Sequence, residues 1–109
     1  MKVIDDQINA YNKRDIQQFL RAYSNEICAY LLENNQLLTQ GADQLRLSIL
    51  QSFERAPNTH INVLERMSSG NLVIDLEEIS GHSDSPMQVI TIYCVEAGLI
   101  SKVWFGGRV

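Results

Sequence analysis

The order of hydrophobic periods along the chain predicts an α+β domain, with about three helices in the N-terminal half packed on a curved antiparallel sheet. Three observations carry this reading. Apolar residues recur at helical spacing in three stretches before Pro57. From Thr59 onward the period falls to two in four successive runs. Between the segments stand an Asp, an Asn pair and several Gly- or Ser-containing turns, the residues that start helices or reverse strands.

Ile4, Ile8 and Tyr11 lie at i, i+4 and i+7, the stripe of an amphipathic helix beginning near Val3 and running to about Asn12. Asp15 is placed to accept hydrogen bonds from the first turn of a second, short helix, whose stripe is Ile16, Phe19, Leu20 and Tyr23. The run Ile27-Cys28-Ala29-Tyr30-Leu31-Leu32 is too short and too apolar for a solvent-washed helix. With Asn34-Asn35 and then Leu37-Leu38-Thr39 it reads as a hairpin. Gly41-Ala42-Asp43 opens a third helix, with Leu45, Ile49 and Phe53 on one stripe, Leu50 widening it and Pro57 ending it. Strands follow over residues 60–67, 72–79, 87–95 and 99–105, and their short turns predict one meandering antiparallel sheet. Gly106-Gly107 reads as a strand terminator leading into a frayed tail.

A chain of 109 residues forms one domain over 1–109 and buries roughly two-thirds of its unfolded surface. With 45% hydrophobic and 20% charged residues it is an ordinary globular composition. No apolar run approaches the ~20 residues of a membrane span, and the opening Met1-Lys2-Val3-Ile4-Asp5-Asp6 is unlike a signal peptide, so a cytoplasmic protein without a membrane partner is expected. Cys28 and Cys94 read as buried free thiols. The net charge of −4 and scattered basic residues, with Lys13-Arg14 the one adjacent pair, argue against nucleic acid as a partner. His60 and His82 stand outside metal-ligand spacings, and no Gly-rich phosphate loop or nucleophile motif is present, so neither a metal nor a cofactor is expected.

In the run from 87 to 95, Met87, Val89, Thr91, Tyr93 and Val95 share one face and Gln88, Ile90, Ile92 and Cys94 the other. Both faces are largely apolar, so both need cover, and the helices of so short a chain cover one. A second copy on the other face, through the side that carries Ile92 and Trp104, is the simplest completion and predicts a homodimer. Strict alternation groups Trp104 with Ile100 and Lys102 on that side, and Leu99, Ser101, Val103 and Phe105 on the concave side.

The pattern Gly70-Asn71-Leu72-Val73-Ile74-Asp75, then Ile90-Thr91-Ile92-Tyr93, then Gly98-Leu99-Ile100-Ser101-Lys102-Val103-Trp104-Phe105 resembles the closing sheet of nuclear transport factor 2-like proteins. More narrowly, it is similar to the SnoaL-like, ketosteroid-isomerase-like branch. The Asn12-x-x-Asp15 junction and Gly41 at the start of the third helix agree with it. The resemblance implies a cone-shaped, cystatin-like roll with a pocket between helices and sheet, dimerisation through the sheet, and activity as isomerase, cyclase, hydrolase or plain binding module. It leads to the expectation of a SnoaL-like enzyme performing cofactor-independent proton transfer on a small apolar metabolite. The alternative is a non-catalytic dimeric module of the same fold.

Ketosteroid isomerase works with an aspartate base and with a tyrosine and a protonated aspartate that bind the dienolate oxygen. Counting along the resemblance puts Gln7 at the tyrosine, Leu31 at the base and Thr91 at or beside the protonated aspartate, so that constellation is missing. Substitutes are Tyr11, one turn beyond Gln7, and Tyr93 as donors, with His60 or a carboxylate as base. SnoaL-like relatives carry a histidine where His60 stands and Asp-His-Glu where this chain has Asp75-Leu76-Glu77. Asp75 and Glu77 facing inward would form a carboxylate pair in an apolar site. Parity argues for the reverse, since Leu72, Ile74 and Leu76 make the more apolar face. Leu31, Phe53, Thr91, Tyr93 and Phe105 are the candidate ligand-binding surface.

Overall fold

The computed structural model describes residues 1–107, and the expected frayed tail lies outside the described residues. The elements are α1 Lys2–Asn12, α2 Ile16–Arg21, β1 Tyr23–Leu31, β2 Gln36–Gln40, α3 Ala42–Arg55, β3 His60–Ser69, β4 Leu72–Ser80, β5 Met87–Glu96 and β6 Leu99–Gly106. No helix among the described residues is long and apolar enough to cross a membrane.

The break between α1 and α2 is held by three side chains. Asn12 donates to the carbonyl of Ile61 at 2.9 Å and accepts from its amide at 2.8 Å, acting as a short strand partner for β3. Arg14 takes a left-handed backbone (φ 61) and donates to the carbonyls of Tyr11, Asn12, Pro57 and Thr59. Asp15 caps α2 by accepting from the amide of Gln18 at 3.1 Å. Tyr23 belongs to β1 rather than to the second helix: the carbonyl of Ala22 accepts from the amide of Ile100, and Tyr23 pairs with Ile100. Its helical spacing from Phe19 still serves a contact, since the two rings lie 4.9 Å apart.

One six-stranded sheet runs in the order β2-β1-β6-β5-β4-β3. The sheet is mixed, not wholly antiparallel as expected: β1 and β6 pair in parallel because the meander from β3 to β6 ends beside β1 in the same direction. Of its register irregularities, two decide which residues face the helices. β3 gains a residue between Val63 and Glu65, which puts Arg66 opposite Asp75 on the helix-facing side. Ser101 is the extra residue where Cys94 pairs Lys102 and Val95 pairs Ile100. Ile100 therefore faces inward, 0% exposed, and does not share the outer side with Trp104 as strict alternation requires.

The helices cover the inner face, and Ile4, Ile8, Phe19, Ile27, Val73 and Ile100 make its core. The outer face carries a row across all six strands, with successive partners Met67, Ile74, Ile92, Trp104, Tyr30 and Leu37. Trp104 stacks on Tyr30 with ring centroids 5.6 Å apart. Cys28 and Cys94 are free thiols, and Cys94 is the buried one.

Candidate functional site

A cavity of about 370 Å³ lies between the helices and the inner face of the sheet, within the usual range for small-molecule sites. The sheet contributes Glu77, Ile79, Val89, Thr91, Tyr93, Val103 and Phe105, and the helices contribute Gln7, Tyr11, Phe19, Leu45 and Ser52. The exposed members of the wall, Ser48, Gln51 and Arg55 on α3 and His82 after β4, mark its mouth.

Glu77 is the chemically distinctive residue. It is 3% exposed, and Thr91 Oγ1 and Tyr93 Oη donate to its two carboxylate oxygens at 2.9 Å each. Both donors are neutral, so burial outweighs them and raises the Glu77 pKa, with the charge of Asp75 adding to the rise. Gln7 Nε2 donates to Tyr93 Oη at 3.1 Å, and Tyr23 Oη donates to Gln7 Oε1 at 2.9 Å. A directed chain of hydrogen bonds thus runs Tyr23, Gln7, Tyr93, Glu77. Burial first, and the Glu77 charge second, push both phenol pKa values up, so both remain protonated donors. On α1 and α3, Tyr11 and Ser52 share one hydrogen bond of 2.9 Å between two hydroxyls, which leaves one of the two protons able to point into the cavity.

Asp75 and Glu77 face inward, with Val73 and Ile79, contrary to the parity expectation. The apolar set Leu72, Ile74 and Leu76 faces outward instead, where the row through Ile92 and Trp104 continues it. The inward charges are tolerated because each has partners. Asp75 is 0% exposed and receives two hydrogen bonds from Arg66, Nε at 2.6 Å and Nη2 at 2.9 Å, while Nη1 reaches Asp5 at 2.7 Å. The bonds to Asp75 and then Asp5 raise the Arg66 pKa against the cost of its partial burial. Asp75 is therefore spent in an ion pair and does not line the cavity, which corrects its candidacy as a catalytic group.

His60 is also corrected: it is exposed as the first residue of the edge strand β3, paired with Ser80, and is absent from the wall. His82 is the histidine at the mouth, and sequence reasoning gave it no role. Leu31 lies beyond the wall at the far end of β1, and Phe53 packs its ring 5.2 Å from Tyr11 with its own face turned to Arg14. Tyr11, Thr91, Tyr93 and Phe105 line the cavity. Gln7, placed by counting at an oxyanion position, instead joins Tyr23 to Tyr93.

No protein-family model and no curated protein matches the chain by sequence. Solved structures do match by shape. A cystatin-fold protein from Novosphingobium aromaticivorans superposes with a TM-score of 0.86 at 21% identity, over 95% of this chain and 94% of that one. A protein from Sinorhizobium meliloti proposed to be a polyketide cyclase gives a TM-score of 0.85 at 13% identity, over 96% and 94% of the two chains. A SnoaL-like protein of unknown function from Burkholderia thailandensis gives 0.82 at 11%, over 99% and 92%. By architecture, the chain has the nuclear transport factor 2-like, cystatin-type fold shared by SnoaL-like and ketosteroid-isomerase-like proteins.

Proposed function

We propose that the chain is a SnoaL-like small-molecule enzyme that relocates a proton on a small, largely apolar metabolite without a cofactor, with Glu77 as the proton-transferring group. The observation that carries this reading is a buried carboxylate of raised pKa in the wall of a mostly apolar cavity, held by neutral hydroxyls alone. A raised pKa moves such a group toward the proton affinity that general acid–base work at neutral pH calls for. Thr91 and Tyr93 position its two oxygens. Glu77 takes a proton from carbon beside a carbonyl and returns it at another atom of the same substrate. The Tyr11–Ser52 pair donates its remaining hydroxyl proton to the oxygen on which charge develops. The groups differ from those of ketosteroid isomerase, because Leu31 offers no base and Glu77 stands on another strand. The shape neighbours proposed to be a polyketide cyclase and a ketosteroid isomerase support chemistry of this kind.

The reading includes a cytoplasmic homodimer. The apolar row from Met67 to Leu37 supports it: both ends are open, Met67 64% and Leu37 46% exposed, and a second sheet laid on the row removes them from water.

A non-catalytic binding module is favoured by one observation: Gln7, Tyr23, Thr91, Tyr93 and Glu77 satisfy one another without a ligand. The ring-opening elimination of 5-nitrobenzisoxazole separates the two, since it needs a base to remove the C3 proton as the N–O bond breaks. The wild type is expected to accelerate it about a hundredfold over Glu77→Gln. Equal rates remove Glu77 as the base and leave the binding module.

A further inference from the structure

We infer that the ligand is an amphipathic acid, with its apolar body in the cavity and an anionic head, a carboxylate or its equivalent, held at the mouth by Arg55 and His82. This rests on the cavity being the ligand site and adds the class of molecule it takes. Charge in the cavity wall is polarised. Glu77 is its one carboxylate among the described residues, buried against the sheet, whereas the ionisable groups at the opening are Arg55 and His82.

Three of the arginines, Arg66, Arg14 and Arg55, differ in commitment. Arg66 is paired with Asp75 and Asp5, and Arg14 is bound to four backbone carbonyls. Arg55 has no ion-pair partner among the described residues. It closes a polar stripe on α3, with Ser48, Gln51 and Ser52 at helical spacing before it, so that one face of the helix turns hydrogen-bonding groups toward the opening. His82 comes to the same opening from the segment after β4. That segment is seated by Gly81 (φ +78), where a Cβ atom would stand 2.0 Å from the carbonyl oxygen of Asn58. The histidine is thus brought to the mouth by a backbone contact that tolerates no side chain.

Apart from these polar groups the wall is largely aliphatic and aromatic, with Leu45, Ile49, Ile79, Val89 and Phe105. About 370 Å³ holds on the order of a dozen non-hydrogen atoms at roughly 30 Å³ each. That is an aryl or short alkyl body plus one head group. A head held at the mouth keeps its negative charge away from Glu77 and orients the other end of the molecule toward the carboxylate, so that binding energy from a non-reacting group positions the reacting one.

The test uses two isosteric probes, 4-phenylbutanoate and 4-phenylbutanamide, titrated calorimetrically into the full chain at neutral pH. The carboxylate is expected to bind about tenfold more tightly than the amide. Arg55→Gln is expected to abolish that preference, Arg55→Lys to keep part of it, and His82→Gln to reduce it. Arg55 is exposed, so a melting curve like that of the wild type accompanies the loss. Equal affinities for the two probes, a preference that survives Arg55→Gln, or no binding of either probe overturns the inference. Elimination by the wild type without a carboxylate preference defeats this inference alone. A preference without elimination defeats the proton-transfer reading alone.

Discussion

Arg66→Met strands a carboxylate that has no access to water. Asp75 is 0% exposed, and both hydrogen bonds from Arg66, at 2.6 and 2.9 Å, are charge-assisted. At about 1.5–3 kcal/mol each, the two sum to about 3–6 kcal/mol, in line with about 3–5 kcal/mol for removing one partner of a buried ion pair. The arm to Asp5 is 55% exposed at its acidic end and adds at most about 1 kcal/mol. For a chain of this size, 1 kcal/mol moves the melting temperature by about 4–8 °C, so a fall on the order of 20 °C is expected. Thermal unfolding followed by circular dichroism, checked by urea titration, measures it. Arg66→Met with Asp75→Leu is expected to recover most of the loss, because an apolar pair removes the stranded charge. A single-variant loss under about 5 °C, or a double variant no better than the single, refutes the pairing and burial described for Asp75.

Three further outcomes follow from the same geometry. The Glu77 pKa is raised above its unfolded value of 4.5, so the native state binds its proton more tightly than the unfolded chain. The stability this confers is full below the unfolded value, is lost as pH rises through the folded-state value, and stays lost above it. Glu77→Gln is expected to remove that slope from urea-unfolding free energies measured across the acid-to-neutral range, and an unchanged profile contradicts it. Gly81→Ala is expected to cost on the order of 3 kcal/mol from overlap with the Asn58 carbonyl and left-handed strain, seen as a lower urea midpoint, and a neutral result shows that the segment after β4 sits elsewhere. Trp104→Asp places a charge in the middle of the outer row, and gel filtration is expected to show a dimer for the wild type and a monomer for the variant. An unchanged elution volume removes this face as the interface.

Local signals made most of the fold readable. The stripe Ile4, Ile8, Tyr11 and the cap at Asp15 announce α1 and α2, and the change to period two locates β3 to β6 within a few residues of their observed ends. Side-chain direction was harder, because one extra residue reverses every later position. The irregularity after Val63 turns Arg66 inward, and Ser101 separates Ile100 from Trp104. Ranking faces of β4 by apolarity failed for a related reason: Arg66, Thr91 and Tyr93 compensate Asp75 and Glu77, and they come from other strands. Thr91 and Tyr93 on the concave side of β5 were the available hint that polar partners awaited there. The parallel β1–β6 pairing joins residues as far apart in the chain as Tyr23 and Ile100, and no local pattern encodes it. His82 reaches the mouth through a backbone contact between Gly81 and Asn58 that leaves no trace in hydrophobic period.

Glu77 is a buried carboxylate of raised pKa in the wall of the cavity. A carbon-13 titration of the Glu side-chain carboxyls, with the Glu77 signal identified by its loss in Glu77→Gln, tests it most directly. A midpoint above the ordinary glutamate range is expected, with a shift of that signal when 4-phenylbutanoate is added. A midpoint at or below 4.5, with no response to the probe, contradicts it.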